Sequence, residues 1–158
     1  MKNTMTNKTK TELRNQIKIT FPAKSTNEGF ARALISAFIS QLDPTIEEIC
    51  DIKTAVSEAV TNCIVHAYND SYSEREKSII LTASYTKDGL VTIKIRDKGC
   101  GIQDIDKARE PMYSGSGSEE RSGMGFSIME CFTDKMSVSS IIGKGTTVTL
   151  KKYIGNHE

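Results

Sequence analysis

Two β-rich runs, 78–85 and 90–96, are joined through Asp88-Gly89. An Asp-Gly step between such runs is a strong hairpin signal, because the tight turn needs positive φ and glycine supplies it without steric cost. Val91, Ile93 and Ile95 give the second run one apolar face. A hairpin pairs sequence neighbours antiparallel, whereas a doubly wound sheet needs each strand followed by a crossover helix. Here two helical patterns come in succession before the hairpin, so a Rossmann-type sheet is disfavoured and an α+β arrangement is expected.

The first of those helices follows a strand. Ile17, Ile19 and Phe21 alternate with polar residues over 16–21, and Pro22 ends the run. Ser25 and Glu28 have capping-box spacing, and Phe30, Leu34, Ile35, Phe38, Ile39 and Leu42 mark one apolar helical face. Glu28, Arg32 and Ser36 fall on another face, expected to be exposed. For the second helix, either Asp43 caps with Pro44 at the first helical position or Thr45 caps with Glu48 reciprocating. Its apolar positions run from Ile49 through Ile64, carrying it to about Tyr68. After the hairpin comes Asp97-Lys98-Gly99-Cys100-Gly101, then a polar lid-like stretch over 104–122. A short helix over 126–132 follows, and a last strand pair over 135–142 and 146–152 turns at Gly143-Lys144-Gly145. The resulting order is β, α, α, β, β, lid, α, β, β. Residues 1–14 read as a loose leader and 15–158 as one domain, the size expected of 158 residues.

Charge and cysteine content narrow the function. Twenty-one Lys and Arg against 20 Asp and Glu leave a net charge of +1, so composition gives no basic field for nucleic acid. No apolar stretch approaches the ~20 residues of a membrane span, and no signal sequence is visible, which suggests a cytoplasmic protein. Cys50, Cys63, Cys100 and Cys131 have no zinc-like spacing. Cys50 and Cys63 are expected to pack as small hydrophobes within helical patterns.

Four constellations could carry chemistry. Glu58, Asn62 and His66 interrupt an apolar helix at four-residue spacing, which places them on one stripe. A carboxylate beside an amide oxygen suits a hydroxyl or water next to a hard cation such as Mg²⁺. At the strand end, Asp97 could accept a hydrogen bond from an exocyclic amine, while Gly99 and Gly101 let a planar base approach the backbone. Gly115-Ser116-Gly117 and Arg121-Ser122-Gly123-Met124-Gly125 approach a helix start, whose free N–H groups favour phosphate. Gly143 to Thr147 form the fourth. Taken singly, each has an ordinary explanation: a solvated stripe, a turn, a flexible linker, a hairpin.

Their order is more specific than any one of them. E-x-x-x-N-x-x-x-H-A, D-x-G-x-G-I, G-x-G-F before a helix and G-x-G-T-T resemble the GHKL ATPase superfamily between Glu58 and Thr147. The resemblance implies a two-layer sandwich of the Bergerat type, with a mixed, mostly antiparallel sheet and helices on one face. It implies Mg²⁺ on Asn62, adenine N6 on Asp97 with Thr146 beside it, and phosphates at Gly123, Met124, Gly125 and Phe126 under a mobile lid. Asn27 to Arg32, Gln41 to Thr45, Ser57 to Asn62 and Arg121 to Glu130 further resemble the anti-sigma F factors of endospore-forming bacteria. That similarity implies a homodimeric cytoplasmic protein serine kinase using ATP. It would sequester the sporulation sigma F factor and phosphorylate an anti-anti-sigma factor, with no contact to nucleic acid or membrane. Glu58 would then be the general base, Arg121 would lie near the γ-phosphate, and Arg32 would contact the sigma factor. The lid departs from the family pattern: Tyr113 is followed by Ser114-Gly115-Ser116-Gly117, without the family's Lys and Pro, which implies a more mobile lid. A histidine-kinase catalytic module, a gyrase-like clamp and a non-catalytic sequestering module are the alternatives.

Overall fold

The computed structural model describes residues 12–111 and 124–155. Five strands form one sheet in the order β1-β2-β3-β5-β4. They are β1 (Leu13–Pro22), β2 (Ser78–Thr86), β3 (Leu90–Asp97), β4 (Lys135–Ile141) and β5 (Gly145–Tyr153). Every pairing is antiparallel, so among the described residues the sheet is not mixed. The helices are α1 (Thr26–Ile39), α2 (Ile46–Asn62), α3 (Ile105–Ala108) and α4 (Gly125–Phe132).

Strand parity determines which side of the sheet is covered. Ile79, Leu81, Ala83 and Tyr85 on β2 and Val91, Ile93 and Ile95 on β3 are buried, while the residues between them are more open. The register aligns these positions, with Leu81 opposite Ile95 and Ile95 opposite Val148. Against this face pack Ala31, Ile35, Phe38 and Ile39 of α1 and Ile52, Ala55, Val56, Ala59 and Val60 of α2, all buried. The result is two layers, with one sheet face in the core and the other left to solvent.

Several local expectations change. Ser25 precedes α1 without a side-chain cap bond, because its backbone is already helical and the Glu28 N–H donates to its carbonyl; the Glu28 side chain does not reciprocate but reaches α2, where the Ser57 hydroxyl donates to it. The stripe of Glu28, Arg32 and Ser36 is therefore half-buried rather than exposed. Phe30 is 45% exposed and meets Phe21 edge-on instead of entering the core. Asp43 lies at φ 52 as the C-cap of a 3₁₀ turn (Ser40–Leu42), so Thr45 is the cap of α2. The Glu48 N–H donates to Thr45 Oγ1 at 3.1 Å and the Thr45 N–H to Glu48 Oε2 at 2.9 Å. Cys50 is exposed, whereas Cys63 is buried. α2 stops at Asn62 and continues as a single π turn, Cys63–Ala67. The 104–122 stretch contains the short helix α3, and its part from 112 onward lies outside the described residues.

Candidate active site

Period-two alternation places a carboxylate where the core pattern calls for an apolar side chain. Val91, Ile93 and Ile95 face the helices, and Asp97 is the next residue of the same parity. It is 5% exposed. The same happens on the two neighbouring strands. Met136 and Val138 on β4 are followed by Ser140, and Leu150 and Val148 on β5 are preceded by Thr146. Three polar groups thus gather at one end of three adjacent strands, under the helix layer.

A net of hydrogen bonds holds them. Asp97 Oδ1 accepts the N–H of Gly99 at 2.9 Å and that of Thr146 at 3.2 Å. Ser140 Oγ lies 2.8 Å from Thr146 Oγ1 and accepts the Ile102 N–H at 2.8 Å. The approach of β5 to Asp97 requires Gly145, since a Cβ there would sit 2.1 Å from the Asp97 carbonyl oxygen. Burial pushes the Asp97 carboxyl above its ordinary range, against hydrogen bonds from Gly99, Thr146 and the Cys63 thiol and the nearby charge of Arg96. The Cys63 thiol is pushed well up, first by burial and then by the Asp97 charge. Cys63 is thus more than a core hydrophobe: its thiol and the Asp97 carboxylate are close enough for each to shift the other's titration.

The π turn carries α2 to this strand end. The Cys100 N–H donates to the Ala67 carbonyl at 2.8 Å. Tyr68, next in the chain, donates its hydroxyl to the Ser78 carbonyl at 2.5 Å and accepts the Lys98 N–H at 2.8 Å. Burial raises the Tyr68 phenol, which favours the neutral donor that this geometry needs. π turns are rare and cluster at functional sites.

Glu58 and Asn62 come in from α2. A Cβ built on Gly125 would lie 3.3 Å from Asn62 Oδ1, Asn62 Nδ2 and Glu58 Oε2, so the start of α4 rests directly on both side chains. A cleft of about 1710 Å³ joins the two regions. Glu58, Asn62, Asp97, Gly101 and Thr146 line it, as do Met124, Gly125 and Phe126 at the start of α4. Helix α3 lines one side, tied to α4 by the ion pair of Arg109 with Glu130.

Gly99 does not line this cleft. A Cβ there would meet the Ala67 carbonyl oxygen at 2.0 Å, so its lack of a side chain serves packing beneath the π turn and not a ligand. Arg32 does not line the cleft; it lies on α1 with its Nε 3.0 Å from Glu28 Oε1. Arg121 and Gly123 lie outside the described residues. Cys63, Tyr68 and Ser140 were not picked out as site residues by sequence. Ser140 has a readable signal, a polar residue at inward parity, as Asp97 has; the contacts of Cys63 and Tyr68 depend on how the π turn meets β3.

No group of three His, Cys, Asp or Glu side chains that could hold a metal exists among the described residues. A hard divalent ion at Asn62 would therefore need further oxygens from a ligand, the usual situation for Mg²⁺ with phosphates. Among the described residues no helix is long and apolar enough to cross a membrane.

Comparison with known proteins agrees with this architecture. The family described as histidine kinase-like ATPase domain matches residues 21–152. The anti-sigma F factor of Caldanaerobacter subterraneus subsp. tengcongensis is 50% identical over 146 residues, covering 92% of this chain and 99% of that protein. That of Geobacillus thermodenitrificans is 49% identical, covering 90% and 94%, and that of Clostridium perfringens strain SM101 is 51% identical, covering 87% and 96%. In fold, the chain superposes on the RsbU and RsbW domains of a Mycobacterium tuberculosis protein with a TM-score of 0.65 at 21% identity, covering 89% of this chain and 33% of that one. It superposes on the SiaB–SiaC complex of Pseudomonas aeruginosa with a TM-score of 0.63 at 10% identity, covering 89% and 90%. The chain belongs to the histidine kinase-like ATPase domain family and, within it, to the anti-sigma F factors.

Proposed function

We propose that this protein is an anti-sigma factor that binds and inhibits the sporulation sigma F factor and uses Mg-ATP to phosphorylate a serine of an anti-anti-sigma factor. The observation that carries the reading is the single cleft on which Glu58, Asn62, Asp97 and the start of α4 converge. The names of relatives about 50% identical over nearly their whole length support the anti-sigma role. We place the protein in the cytoplasm, working as a homodimer.

The residues fit such a ligand. Asp97 is buried and anchored through one oxygen by two backbone N–H groups, a rigid acceptor for the exocyclic amine of adenine. Thr146 stands beside it, and Gly101 lines the cleft next to it, its missing side chain making room for the Ile141 carbonyl. Met124, Gly125 and Phe126 begin α4, whose free N–H groups favour phosphate oxygens. The Asn62 carboxamide supplies a hard oxygen for Mg²⁺. When bound, Mg²⁺ offsets phosphate charge, and ATP is the phosphoryl donor. Glu58 holds the incoming serine hydroxyl and takes its proton as the serine oxygen bonds to the γ-phosphorus and the bond to the β-phosphate bridging oxygen breaks. Arg121 is assigned to the γ-phosphate by the family pattern. Arg32 is the proposed sigma-factor contact.

The test is transfer of label from ATP to serine of an anti-anti-sigma protein. Glu58→Gln keeps Mg-ATP affinity within about twofold and lowers transfer by about 10²-fold or more, the usual weight of a general base. Asn62→Ala removes the Mg²⁺ dependence of nucleotide affinity. Unchanged transfer in Glu58→Gln excludes the base role. Nucleotide binding without any transfer in the wild type would instead favour the non-catalytic sequestering module.

A further inference from the structure

The sheet face turned away from the helices has a charge distribution that composition conceals. Outward positions follow from register: Lys18 pairs with Thr82, Thr82 with Lys94, and Lys94 with Thr149. The adjacent rows add Arg96 on one side and Lys151 with Lys135 on the other. Across the three complete rows, the remaining outward positions are Ser or Thr except Gln16 and Ile80, and no carboxylate is among them. Yet the chain has 20 Asp and Glu against 21 Lys and Arg. Near-neutrality overall therefore hides a face of one sign.

None of these five cations is in an ion pair among the described residues. Lys18, Lys94, Arg96 and Lys135 are exposed, and Lys151 is partly so. Lys135 and Lys151 are direct cross-strand partners. Like charges in that position are destabilising, and an anionic surface laid over them relieves the repulsion.

We infer that the open face of the sheet is a docking surface for an acidic protein segment. Charge complementarity selects an anionic occupant. Its shape and chemistry select protein over the other polyanions. No outward position in the three rows is aromatic, and Tyr153, exposed in the next row, is one ring, short of the successive stacking platforms that hold single-stranded nucleic acid. A sheet ~20 Å across, five strands at ~4.8 Å spacing, is too broad to enter a DNA groove. Ile80, opposite Arg96 and set among hydroxyls, offers a small apolar contact with hydrogen-bonding groups around it, the composition of a polar protein interface. A second copy of this face would meet it with the same charge. The inference stands apart from the nucleotide cleft, which lies on the other side of the sheet.

The experiment uses the full chain and labelled poly-L-glutamate, read by fluorescence anisotropy at 50 and 300 mM salt. The triple variant Lys18→Glu, Lys94→Glu, Lys151→Glu is compared with Lys24→Glu, Lys53→Glu, Lys87→Glu, which changes net charge equally away from the face. The first loses at least about tenfold in affinity and the second less than about threefold, with binding weaker at high salt. Equal loss in both, or no polyglutamate binding by the wild type, overturns the inference. So does tighter binding of a single-stranded oligonucleotide or of phosphatidylserine vesicles than of polyglutamate. Amide shifts in the unmodified protein give an answer even where a variant fails to fold: on adding polyglutamate they concentrate in β1 to β5 at outward positions. Shifts concentrated in α1 and α2 refute it.

Discussion

Replacing Gly99 by alanine tests the packing that seats Asp97. The added Cβ would lie 2.0 Å from the Ala67 carbonyl oxygen and 2.5 Å from its carbon. These are backbone atoms, so no rotamer change relieves the clash; either the π turn or the 97–101 segment must move by more than an ångström. Overpacking of this kind costs about 1–3 kcal/mol. Movement also weakens the Cys100 N–H to Ala67 carbonyl bond and the Gly99 N–H to Asp97 bond, each worth about 0.5–1.5 kcal/mol. The total is about 2–6 kcal/mol, which in a domain of this size lowers Tm by about 4–24 °C. Gly143→Ala is the control. That glycine has φ +79 but nothing within 4 Å of the added carbon, so only left-handed backbone strain of about 1–2 kcal/mol applies. Urea unfolding of both variants separates the two causes. A Gly99→Ala cost equal to or below that of Gly143→Ala would show that the close approach to Ala67 does not exist. ATP titration completes the assay: Gly99→Ala displaces Asp97 and weakens nucleotide binding, while Gly143→Ala does so less.

Three further outcomes follow. The Asp97 carboxyl is raised in the folded state, so it binds its proton more tightly there, and the stability it contributes is lost as pH rises through the carboxylate range. Asp97→Asn lacks that loss; the difference in unfolding free energy, variant minus wild type, should therefore climb from about pH 4 upward, and a flat or falling difference contradicts the burial argument. Thr45→Ala removes the Oγ1 that accepts the Glu48 N–H, leaving the backbone N–H bond to Glu48 Oε2 in place, and costs about 1 kcal/mol by urea unfolding; no measurable change would mean that the α2 start does not depend on the side-chain cap. Arg32→Ala should weaken capture of the sigma factor in a pull-down by about tenfold and leave serine phosphorylation within twofold; if both fall together, the Glu28 link to Ser57 on α2, next to Glu58, is the reason.

Local sequence was sufficient for much of the chain. Asp88-Gly89 forced a hairpin because the turn needs positive φ, and Gly89 has φ +86. Alternation along β3 determined which residues face the helices, because side chains in a strand have period two. Helical spacing put Glu58 and Asn62 on one stripe of α2, since neighbours four apart fall nearly above one another. The same rules, applied one residue further, reach Asp97 and Ser140, which are polar where parity points inward.

Other features depend on atoms that are distant in sequence. Whether Glu28 caps its own helix or reaches Ser57 is decided by how closely α2 lies, and local spacing carries no information on that distance. Gly99 looked like a ligand-facing glycine from its motif, but the backbone of Ala67, 32 residues earlier, occupies the space. Cys63 became a partner of Asp97 only because the π turn delivers its thiol to the end of β3. The basic sheet face has the same origin: its cations come from four strands that register alone brings side by side, and a sum over the chain cannot register where charges lie. Periodicity is a property of neighbours along the chain and is written in the sequence; contact across the fold is fixed by the packing of whole elements, and only the tertiary structure contains it.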